Sequence, residues 1–319
     1  MSEELEDIKG VGPATADRLK RAGFTTLEAI AVTPIRELVA KAGLSYDAAI
    51  KISNTARSHI GLEFITAKEV WERRKTMTRC STGSRELDRI LGGGVETQAI
   101  TEFIGEYGVG KTQLCLKLSV MAHLPRSDGG LEGRTLYIDS EGTFSPERVY
   151  QISMSMGLDP SKVLDNIIVA RAYNSDHQSL IIDHLFEICP KENVKLVVVD
   201  SMISHFRGEY VGRENLSERQ QKLNECLHKL LRLAEAYNLA VIITNQVQAN
   251  PAVFFGDPNK PAGGHIMAHA STHRIYIRRS KENTRVAKVI DSSYLPESEA
   301  RFIISEKGIE DIKSVEDEG

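Results

Sequence analysis

Cysteine and tryptophan are scarce in this sequence of 319 residues, which contains four cysteines and one tryptophan. The cysteines are Cys80, Cys115, Cys189 and Cys226, and none of them has the close spacing of metal ligands. A zinc site and a disulfide framework are therefore not expected. Reduced, unpaired thiols are typical of proteins that work in the cytoplasm.

Long apolar runs are missing as well, and none approaches the roughly 20 residues that a membrane-spanning helix needs. Residues 1–4 are Met-Ser-Glu-Glu, and this acidic start lacks the basic and apolar stretches of a secretory signal. We therefore expect a cytoplasmic protein that is not attached to a membrane.

An excess of positive charge is also lacking, since the formal net charge is −4. This excludes the bulk basicity that lets some proteins coat nucleic acid. Local charge differs, because residues 274–288 carry six basic side chains against one acid, Glu282. The basic residues of this stripe are Arg274, Arg278, Arg279, Lys281, Arg285 and Lys288. A mildly acidic protein can still bind DNA through such a stripe.

Residues 1–60 are predicted to form a small domain of short helices. The glycine pattern IKGVGP at 8–13, with a weaker copy AGLS at 42–45, is typical of a helix-hairpin-helix. There, glycines allow a tight turn whose backbone N–H groups bind a phosphate. Lys9, Lys20 and Arg21 favour DNA as the ligand. The alternative is a protein-interaction module in which the glycines only make turns.

Residues 61–80 are predicted to be a linker, and residues 81–319 a larger domain in which strands and helices alternate. Strands are expected at 98–104, 135–139, 167–170, 195–200 and 240–244, and helices at 111–123, 146–157, 176–188 and 217–237. Alternating units imply an α/β fold, a mostly parallel sheet covered by helices on both faces. Short strands at 274–278, 286–290 and 302–305 are expected to extend the sheet as hairpins.

Residues 105–112 match the phosphate-binding loop pattern Gly-x-x-x-x-Gly-Lys-Thr at each fixed position. The motif follows a predicted strand and opens a predicted helix, which is the context that such a loop needs. Its glycines let backbone N–H groups wrap the phosphates. Lys111 places a positive charge on the β and γ oxygens, and Thr112 offers a hydroxyl to Mg²⁺. The sequence therefore predicts a nucleotide site.

Three other predicted strands lead to polar residues at the same edge of the sheet. Asp200 follows four apolar residues and is expected to hold the Mg²⁺ shell, the alternative being a helix cap. Glu141 lies just beyond a strand that ends at Asp139, where a carboxylate can activate water against the γ-phosphate. Asp139 is the rival for that role. Gln246 ends a third strand, where an amide can hydrogen-bond the γ-phosphate.

These elements, in this order, resemble the RecA/RadA family of strand-exchange ATPases, and its archaeal members most closely. Specific matches are IDSEGTF at 138–144, ARAYNSD at 170–176, ERQQKL at 218–223, TNQV at 244–247, GGH at 263–265 and LPE at 295–297. The resemblance covers nearly the whole chain. It implies a RecA-like core, and a DNA-dependent ATPase that forms a filament on single-stranded DNA and exchanges strands in recombination and repair.

The resemblance assigns ATP and Mg²⁺ as cofactors, and K⁺ is a further candidate. The nucleotide-binding set is Gly105, Glu106, Tyr107, Gly108, Val109, Gly110, Lys111, Thr112, Gln113, Arg148, Asp200, Asp291 and Pro296. Arg148 is expected to lie against the adenine. Asp291 and Pro296 are expected to cap ATP in the adjacent subunit. The catalytic residues implied are Glu141, Lys111 and Gln246, and the Mg²⁺ ligands are Thr112 and Asp200.

Two DNA loops are implied by the same resemblance. The first, 207–214, presents Arg207 and Arg213, with Arg219 just beyond; without the family, these would be interpreted as solvated charges. The second, 248–262, follows Gln246, the expected γ-phosphate sensor. Its expected contacts are Asn250, Phe254 and Phe255, and exposed aromatics of this kind suit base stacking. Single-stranded and double-stranded DNA are the expected partners.

Self-assembly is the other implied property. In the family, a strand containing Phe64 and Ala67 docks on the next subunit, near Ala170 and Ala172, and His265 belongs to the same interface. A head-to-tail contact does not close on itself, so it builds a helical filament, with rings as a variant. The alternative is a plain linker strand that folds on its own domain. Accessory recombination proteins are further candidate partners. The protein is expected to be associated with the nucleoid in the cytoplasm.

Some residues depart from the family pattern. Gln248 and Asn250 replace a methionine and an arginine that are frequent in archaeal members, which we expect to weaken DNA contact or change its salt dependence.

Two other functions compete with strand exchange. One is a regulatory paralogue that binds ATP and a recombinase without exchanging strands. The other is a hexameric helicase, which the Phe64 segment and the helix-hairpin-helix disfavour.

Replacing Lys111 with alanine tests the nucleotide site directly. Lys111→Ala is expected to abolish ATP hydrolysis, because it removes the fixed positive charge on the β and γ phosphates. The measurement is steady-state phosphate release by the purified variant. Normal turnover would show that the phosphate loop is misassigned.

Overall fold

The computed structural model describes Leu5 and residues 11–60, 64–249, 259–281 and 283–312. Its N-terminal part packs the helices α1 (Pro13–Arg21), α2 (Leu27–Val32), α3 (Ile35–Ala42) and α4 (Tyr46–His59) around a small apolar core. Gly43 ends α3 with a left-handed φ of 62°, and the hydroxyl of Ser45 then caps α4 by accepting the N–H of Ala48 at 3.3 Å. Glycine and serine thus produce the turn that the sequence predicts.

The segment after α4 is more ordered than a plain linker. It forms α5 (Ala67–Arg74), β1 (Arg79–Cys80), α6 (Arg85–Ile90) and β2 (Val95–Glu96), and β1 pairs with β2. Helix α5 begins at a capping box, because Thr66 Oγ1 accepts the N–H of Glu69 at 3.2 Å while Glu69 accepts the N–H of Thr66 at 2.7 Å. Residues 64–66 are not in a strand, so the docking strand predicted from the resemblance is not formed within this chain.

The large domain contains the remaining elements. In chain order they are β3 (Ala99–Gly105), α7 (Lys111–Met121), β4 (Arg134–Asp139), α8 (Pro146–Ser155), α9 (Pro160–Asp165), β5 (Ile167–Arg171), α10 (Ser175–Lys191), β6 (Val194–Asp200), α11 (Ser204–Glu209), α12 (Leu216–Tyr237), β7 (Ala240–Ala249), β8 (Asn259–Pro261), α13 (Gly264–Ala270), β9 (His273–Arg279), β10 (Thr284–Ser292), β11 (Glu299–Ser305) and β12 (Gly308–Asp311).

The strands form one sheet in the order β12-β11-β10-β9-β3-β7-β6-β4-β5, with β8 paired to the end of β7. Strands β9, β3, β7, β6, β4 and β5 are parallel, whereas β10, β11 and β12 are antiparallel additions at one side. This confirms the predicted α/β class. Strand β9 differs from the prediction, because it joins the parallel part beside β3 rather than only a hairpin.

Helices cover both faces of the sheet, as a parallel sheet requires. Each residue of β3 is buried, as a central strand covered on both faces requires, and its one charged residue, Glu102, is paired with Arg274. One face packs Leu114 of α7 and Val149 of α8 into a core with Phe302. The other face packs Leu185 of α10 and Leu227 of α12 into a second core. Because helices cover both faces of the sheet, ligands and partners can approach only its strand ends and its edges.

The N-terminal helices rest on the second face, against α12 and α10. The guanidinium of Arg232 lies 3.0 Å from the carboxylate of Glu37, and the Tyr237 hydroxyl lies 3.3 Å from that of Thr26. Lys41 reaches Asp183 of α10 at 3.3 Å. These contacts join the small domain to the face of the large one that lies away from α7.

The short helices α9, α11 and α13 are not predicted from the sequence. Each contains six or seven residues, which is less than two full helical turns, so no periodicity can accumulate. In the described part of the chain, no helix is both long enough and apolar enough to cross a membrane.

Candidate nucleotide site, subunit surfaces and DNA loops

The phosphate loop joins β3 to α7, and two glycines shape it. Gly108 and Gly110 have φ values of 73° and 107°, in the left-handed region that favours glycine. A Cβ at Gly108 would lie 2.7 Å from the guanidinium of Arg279, and one at Gly110 would collide with Ile304. The loop therefore keeps its backbone close to neighbouring strands and opens its N–H groups at the start of α7, a site for an anion.

Lys111, the first residue of α7, places its ammonium over this loop. Its Nζ donates to the carbonyls of Gly105 and Glu106, each at 2.8 Å. Burial lowers the pKa of Lys111, an effect that the carboxylates of Asp200 and Glu141 oppose. The cation is thus held beside the loop glycines by carbonyl oxygens, and oxygens of a phosphate are stronger acceptors for the same N–H groups.

The carboxylate of Asp200 joins three neighbouring elements at the tip of β6. It is almost fully buried, and it accepts hydrogen bonds from Thr112 at 2.7 Å, from Tyr137 at 2.8 Å and from Thr244 at 2.5 Å. Burial and the nearby Asp200 charge raise the pKa of Tyr137 well above its usual value, so the phenol remains a donor. The alternative of a helix cap does not describe this carboxylate, which binds side chains of the nucleotide loop and the sheet.

Two arginines of the basic stripe hold the phosphate loop. Arg279 donates to the carbonyl of Gly108 at 2.8 Å, and Arg285 donates to that of Val109 at 2.9 Å. Arg274 pairs with the buried Glu102 at 2.7 Å. Charge counting does not detect these contacts, because they depend on the pairing of β9 with β3 and of β10 with β9 over long sequence separations.

Glu141 and Asp139 occupy different environments. The buried Asp139 carboxylate accepts the N–H groups of Gly142 at 2.7 Å and of Thr143 at 3.1 Å, so it is engaged by the turn that follows β4. Glu141 is exposed and accepts a hydrogen bond from the amide of Gln246 at 3.1 Å. This geometry favours Glu141 over Asp139 as the carboxylate that meets a substrate.

Gln246 lies within β7 rather than at its end. The strand continues to Ala249 because it pairs with β8, whereas the sequence predicts its end at Thr244. The strand that carries the amide beside Glu141 therefore leads without interruption toward the second DNA loop.

Arg148 stands at the start of α8, where the hydroxyl of Ser145 caps the helix. Its Nε donates to the side-chain oxygen of Gln113 at 2.7 Å, and burial lowers the pKa of the guanidinium. Its other acceptors are Gln151 and the carbonyls of Ser305 and Glu306. The guanidinium is thus fixed beside α7, next to a residue of the predicted nucleotide set.

A cavity of about 430 Å³ opens where these strand ends meet. Its lining includes Lys111, Thr112, Glu141, Asp200 and Gln246. The donor set fits a nucleotide with Mg²⁺, because a loop of N–H groups and a cation face the hydroxyl and carboxylate oxygens that Mg²⁺ prefers. No cluster of three or more His, Cys, Asp or Glu suited to a metal occurs in the described residues. Phosphate oxygens would complete the coordination.

Asp291 and Pro296 lie at the other end of the sheet. Asp291 pairs with Arg274 at the start of β9, whereas Gly105 of the phosphate loop pairs with Ile277, near the end of β9. Asp291 and Pro296 therefore cannot reach the phosphate loop of their own chain. This placement is consistent with a cap over the nucleotide of a neighbour.

The segment around Asp291 is fixed by a buried carboxylate that sequence reasoning missed. Glu96 accepts the hydroxyl of Tyr294 at 2.5 Å and lies 2.8 Å from His273, whose other nitrogen lies 2.9 Å from Ser292. Arg79 completes the group at 3.3 Å from Glu96. Its members are distant in sequence, so only the folded chain brings them together.

Phe64 is fully exposed, as a residue that docks on another molecule would be. Strand β5 forms the open edge of the sheet, since it pairs only with β4 among the described strands. Val169 and Tyr173 are exposed along this edge and Ala170 is partly exposed, but Ala172 is fully buried in its own subunit. This burial contradicts the expectation that Ala172 itself lines the docking surface.

His265 lies on α13, just after β8, and its ring is exposed and stacks on that of His269 at 6.1 Å between centroids. Helix α13 starts at the nucleotide end of β7, because the N–H of Ala262 bonds the carbonyl of Gln246 at 2.8 Å. The expected interface residue thus lies on the helix that follows Ala262, the residue whose N–H bonds the backbone of Gln246.

The segment 207–214, predicted as the first DNA loop, is partly helical. Arg207 lies on α11, which Phe206 anchors in the core, so only residues 210–215 connect α11 to α12. Arg213 is exposed in this connection, and Arg219 lies on the first turns of α12 with its Nε buried and unpaired. Asn250, Phe254 and Phe255 of the second loop lie outside the described residues.

Comparison with known proteins agrees with this arrangement. Residues 73–312 match the family model Rad51, and residues 2–58 match a SAM-like helix-hairpin-helix tandem. The DNA repair and recombination protein RadA of Aeropyrum pernix is 50% identical to the chain over 309 residues, 97% of each protein. The chain belongs to the Rad51 family.

As a member of the Rad51 family, the protein is a DNA-dependent ATPase of DNA repair and recombination that uses ATP with Mg²⁺. The resemblance seen in the sequence is thereby confirmed.

Glu141 can be tested against the other carboxylates. Glu141→Gln should retain ATP binding and filament assembly but slow hydrolysis by ~10²-fold or more, the usual contribution of a general base. Glu187→Gln, an exposed carboxylate on α10, is the control and should hydrolyse ATP normally. The measurement is single-turnover hydrolysis alongside nucleotide binding. If Glu141→Gln kept its rate, Asp139 or a chain of waters would become the better candidate.

Proposed function

We propose that the protein forms a helical filament on single-stranded DNA, pairs it with homologous duplex and exchanges strands, with ATP controlling the filament. One observation carries this proposal. The amide of Gln246 bonds Glu141 at the nucleotide cavity, and the strand that bears it leads directly to the second DNA loop. A single β-strand therefore connects the site of hydrolysis to a site of DNA contact.

In the proposed hydrolysis, bound ATP with Mg²⁺ supplies a phosphoanhydride bond with high transfer potential. Lys111 and the N–H groups of the phosphate loop hold the transferred group and stabilise its charge. Thr112 and Asp200 would hold the Mg²⁺ ion, which would supply charge neutralisation at the β and γ phosphates. Glu141 accepts a proton from the attacking water, and Gln246 orients that carboxylate through the bond of 3.1 Å.

The proposed DNA contacts begin with Arg207, Arg213 and Arg219, which bind phosphates. The aromatic residues Phe254 and Phe255 then stack on bases, and Asn250 contributes a polar contact. A strand held mainly by its backbone and by stacking is read without regard to sequence. That is the property that a recombinase needs, because homology is tested by base pairing and not by the protein.

Assembly is proposed to follow from the open edge of the sheet. The segment around Phe64 adds to β5 of a neighbour, where Val169 and Tyr173 offer exposed apolar surface. Asp291 and Pro296 close over the neighbour's nucleotide from the other end of the sheet. Since the two surfaces lie at different ends of one chain, the contact repeats head to tail and builds a filament.

K⁺ as an additional cofactor is also a proposal, tested by ATPase assays in KCl and NaCl.

A regulatory paralogue and a ring helicase are the competing functions. Electron microscopy of the protein with ATP and single-stranded DNA distinguishes the assemblies, because filaments support the proposal and closed rings support the helicase. A strand-exchange assay distinguishes the paralogue. Filaments that fail to exchange strands would favour the paralogue.

Phe64→Glu tests the assembly surface. The aromatic ring should enter an apolar site on the neighbour, and burying an unpaired carboxylate there costs several kcal/mol. We expect a folded variant that scatters less light and forms no long filaments. Tyr150→Glu, at another exposed aromatic residue, should assemble normally. Unchanged filaments from Phe64→Glu would show that this residue packs within its own subunit.

Gln246→Ala tests the connection between the two sites. The residue carries no charge, so ATP binding and the salt dependence of DNA binding should remain nearly intact. The stimulation of hydrolysis by single-stranded DNA should disappear, because the coupling between the sites is lost. The measurement is ATPase rate with and without DNA. Full stimulation in this variant would contradict the role of β7.

Arg213→Ala tests the first loop. One lost phosphate contact should weaken binding of single-stranded DNA for all sequences alike and flatten the slope of log affinity against log salt by about 0.7. Arg126→Ala, an exposed arginine paired with Glu132, is the control. A salt titration by fluorescence anisotropy makes the comparison. An unchanged slope for Arg213→Ala would remove this residue from the DNA interface.

A further inference from the structure

Arg171 has no assigned role, yet it contacts the residues that carry the catalytic turn, defined as residues 140–144. It is the last residue of β5 and pairs in register with Asp139, the last residue of β4. Its guanidinium donates to the carbonyl of Asp139 at 2.9 Å and lies 3.4 Å from the Asp139 carboxylate. One arginine therefore holds both the backbone and the side chain of the residue that ends β4.

Asp139 in turn sets the path of the catalytic turn. Its carboxylate accepts the N–H groups of Gly142, Thr143 and Phe144 at 2.7, 3.1 and 3.4 Å. Gly142 has a φ of 74°, and a Cβ placed there would lie 3.1 Å from the guanidinium of Arg171. The arginine thus packs directly against the backbone that follows Glu141.

The other side of Glu141 is fixed separately. Ser140 donates to the carbonyl of Ser201 at 2.8 Å and lies 2.8 Å from the hydroxyl of Ser204. Glu141 therefore stands between two anchors, one formed by Ser201 and Ser204 just beyond β6 and one built from Asp139 and Arg171. Its own side chain is exposed and meets Gln246, so its position depends on the backbone that these anchors hold.

The positive charge of Arg171 also compensates the negative charge of Asp139. Asp139 is almost fully buried, and a buried carboxylate is costly unless hydrogen bonds and an opposite charge compensate it. Removing the guanidinium would leave the carboxylate with its amide partners but without its cation. We expect the turn to relax toward water, which would displace Glu141 from the γ-phosphate.

We propose that Arg171 is a positioning residue for the general base Glu141. This inference rests on the proposed function, in which Glu141 accepts a proton from water. Arg171 acts through the catalytic turn and is not among the residues that line the nucleotide cavity. Loss of Arg171 should therefore reduce kcat and leave the KM for ATP unchanged.

The experiment compares Arg171→Gln with a matched control, Arg134→Gln. Arg134 begins β4 at the far end of the sheet, donates to the carbonyl of Asp165 at 2.7 Å and pairs with Glu192. Its side chain is 32% exposed, close to the 37% of Arg171. The control thus removes an equivalent arginine from the same sheet without touching the catalytic turn.

We expect Arg171→Gln to lower kcat by on the order of 10-fold to 10²-fold, the loss that a misplacement of about 1 Å produces. The KM for ATP and the filament length by light scattering should match the wild type, and Arg134→Gln should retain full kcat. Arg171→Lys should recover part of kcat, since an ammonium supplies the charge and one donor. An unchanged kcat in Arg171→Gln would overturn the proposal.

A double-mutant cycle with Glu141→Gln shows whether Arg171 acts through Glu141. If it does, Arg171→Gln should cause little further loss in that background, because the group it positions has been removed. An equal fold-loss in both backgrounds would overturn the proposal. Near-normal hydrolysis by Glu141→Gln alone would instead contradict the general-base role itself, and with it the basis for a positioning residue.

Discussion

The buried carboxylate of Asp200 is the interaction on which the nucleotide site depends. It accepts hydrogen bonds from hydroxyl groups of α7, β4 and β7, and these elements bring the phosphate loop, the catalytic turn and the strand of the proposed γ-phosphate sensor to one point. A carboxylate without such donors would be costly at this depth. The same bonds that stabilise the charge therefore fix the relative positions of the elements that bind and hydrolyse ATP.

The parallel sheet explains why a single chain offers two different surfaces to its neighbours. Parallel strands place all carboxyl ends at one edge, where the phosphate loop, Glu141 and Gln246 meet. Strand β10 runs antiparallel, so Asp291 lies at the opposite end. In the proposed filament, a subunit carries a nucleotide site at one end and a cap for a neighbour's site at the other. Nucleotide binding and assembly are then two aspects of one repeated contact.

Edge strand β5 contributes both to the nucleotide site and to the proposed assembly surface. Its open side carries the exposed Val169, and its last residue, Arg171, holds the turn of Glu141 from the closed side. Helix α11 lies next to this strand's end, since His205 lies 3.0 Å from the carbonyl of Ala172 and Glu209 accepts the N–H of Ser175 at 2.8 Å. The proposed assembly edge, the catalytic turn and the base of the proposed first DNA loop are therefore connected by direct contacts.

Much of the site could be predicted from local pattern. The phosphate loop, Asp200 and Glu141 follow apolar strands whose ends must meet in a parallel sheet, so short segments are enough to place them. The choice between Glu141 and Asp139 could not be made in this way. It required the backbone amides that engage Asp139, and these become visible only when the turn is folded.

The sequence by itself determined the α/β class, the nucleotide chemistry and the family, because each is encoded in contiguous segments or in their order. Tertiary structure decided the task of each charged residue. Arg279 and Arg285 serve the phosphate loop, and Glu96 holds the cap segment, through partners far away in the chain. Charge counts cannot distinguish a solvated arginine from one bound to a carbonyl, since the difference is made by strand pairing over long sequence separations.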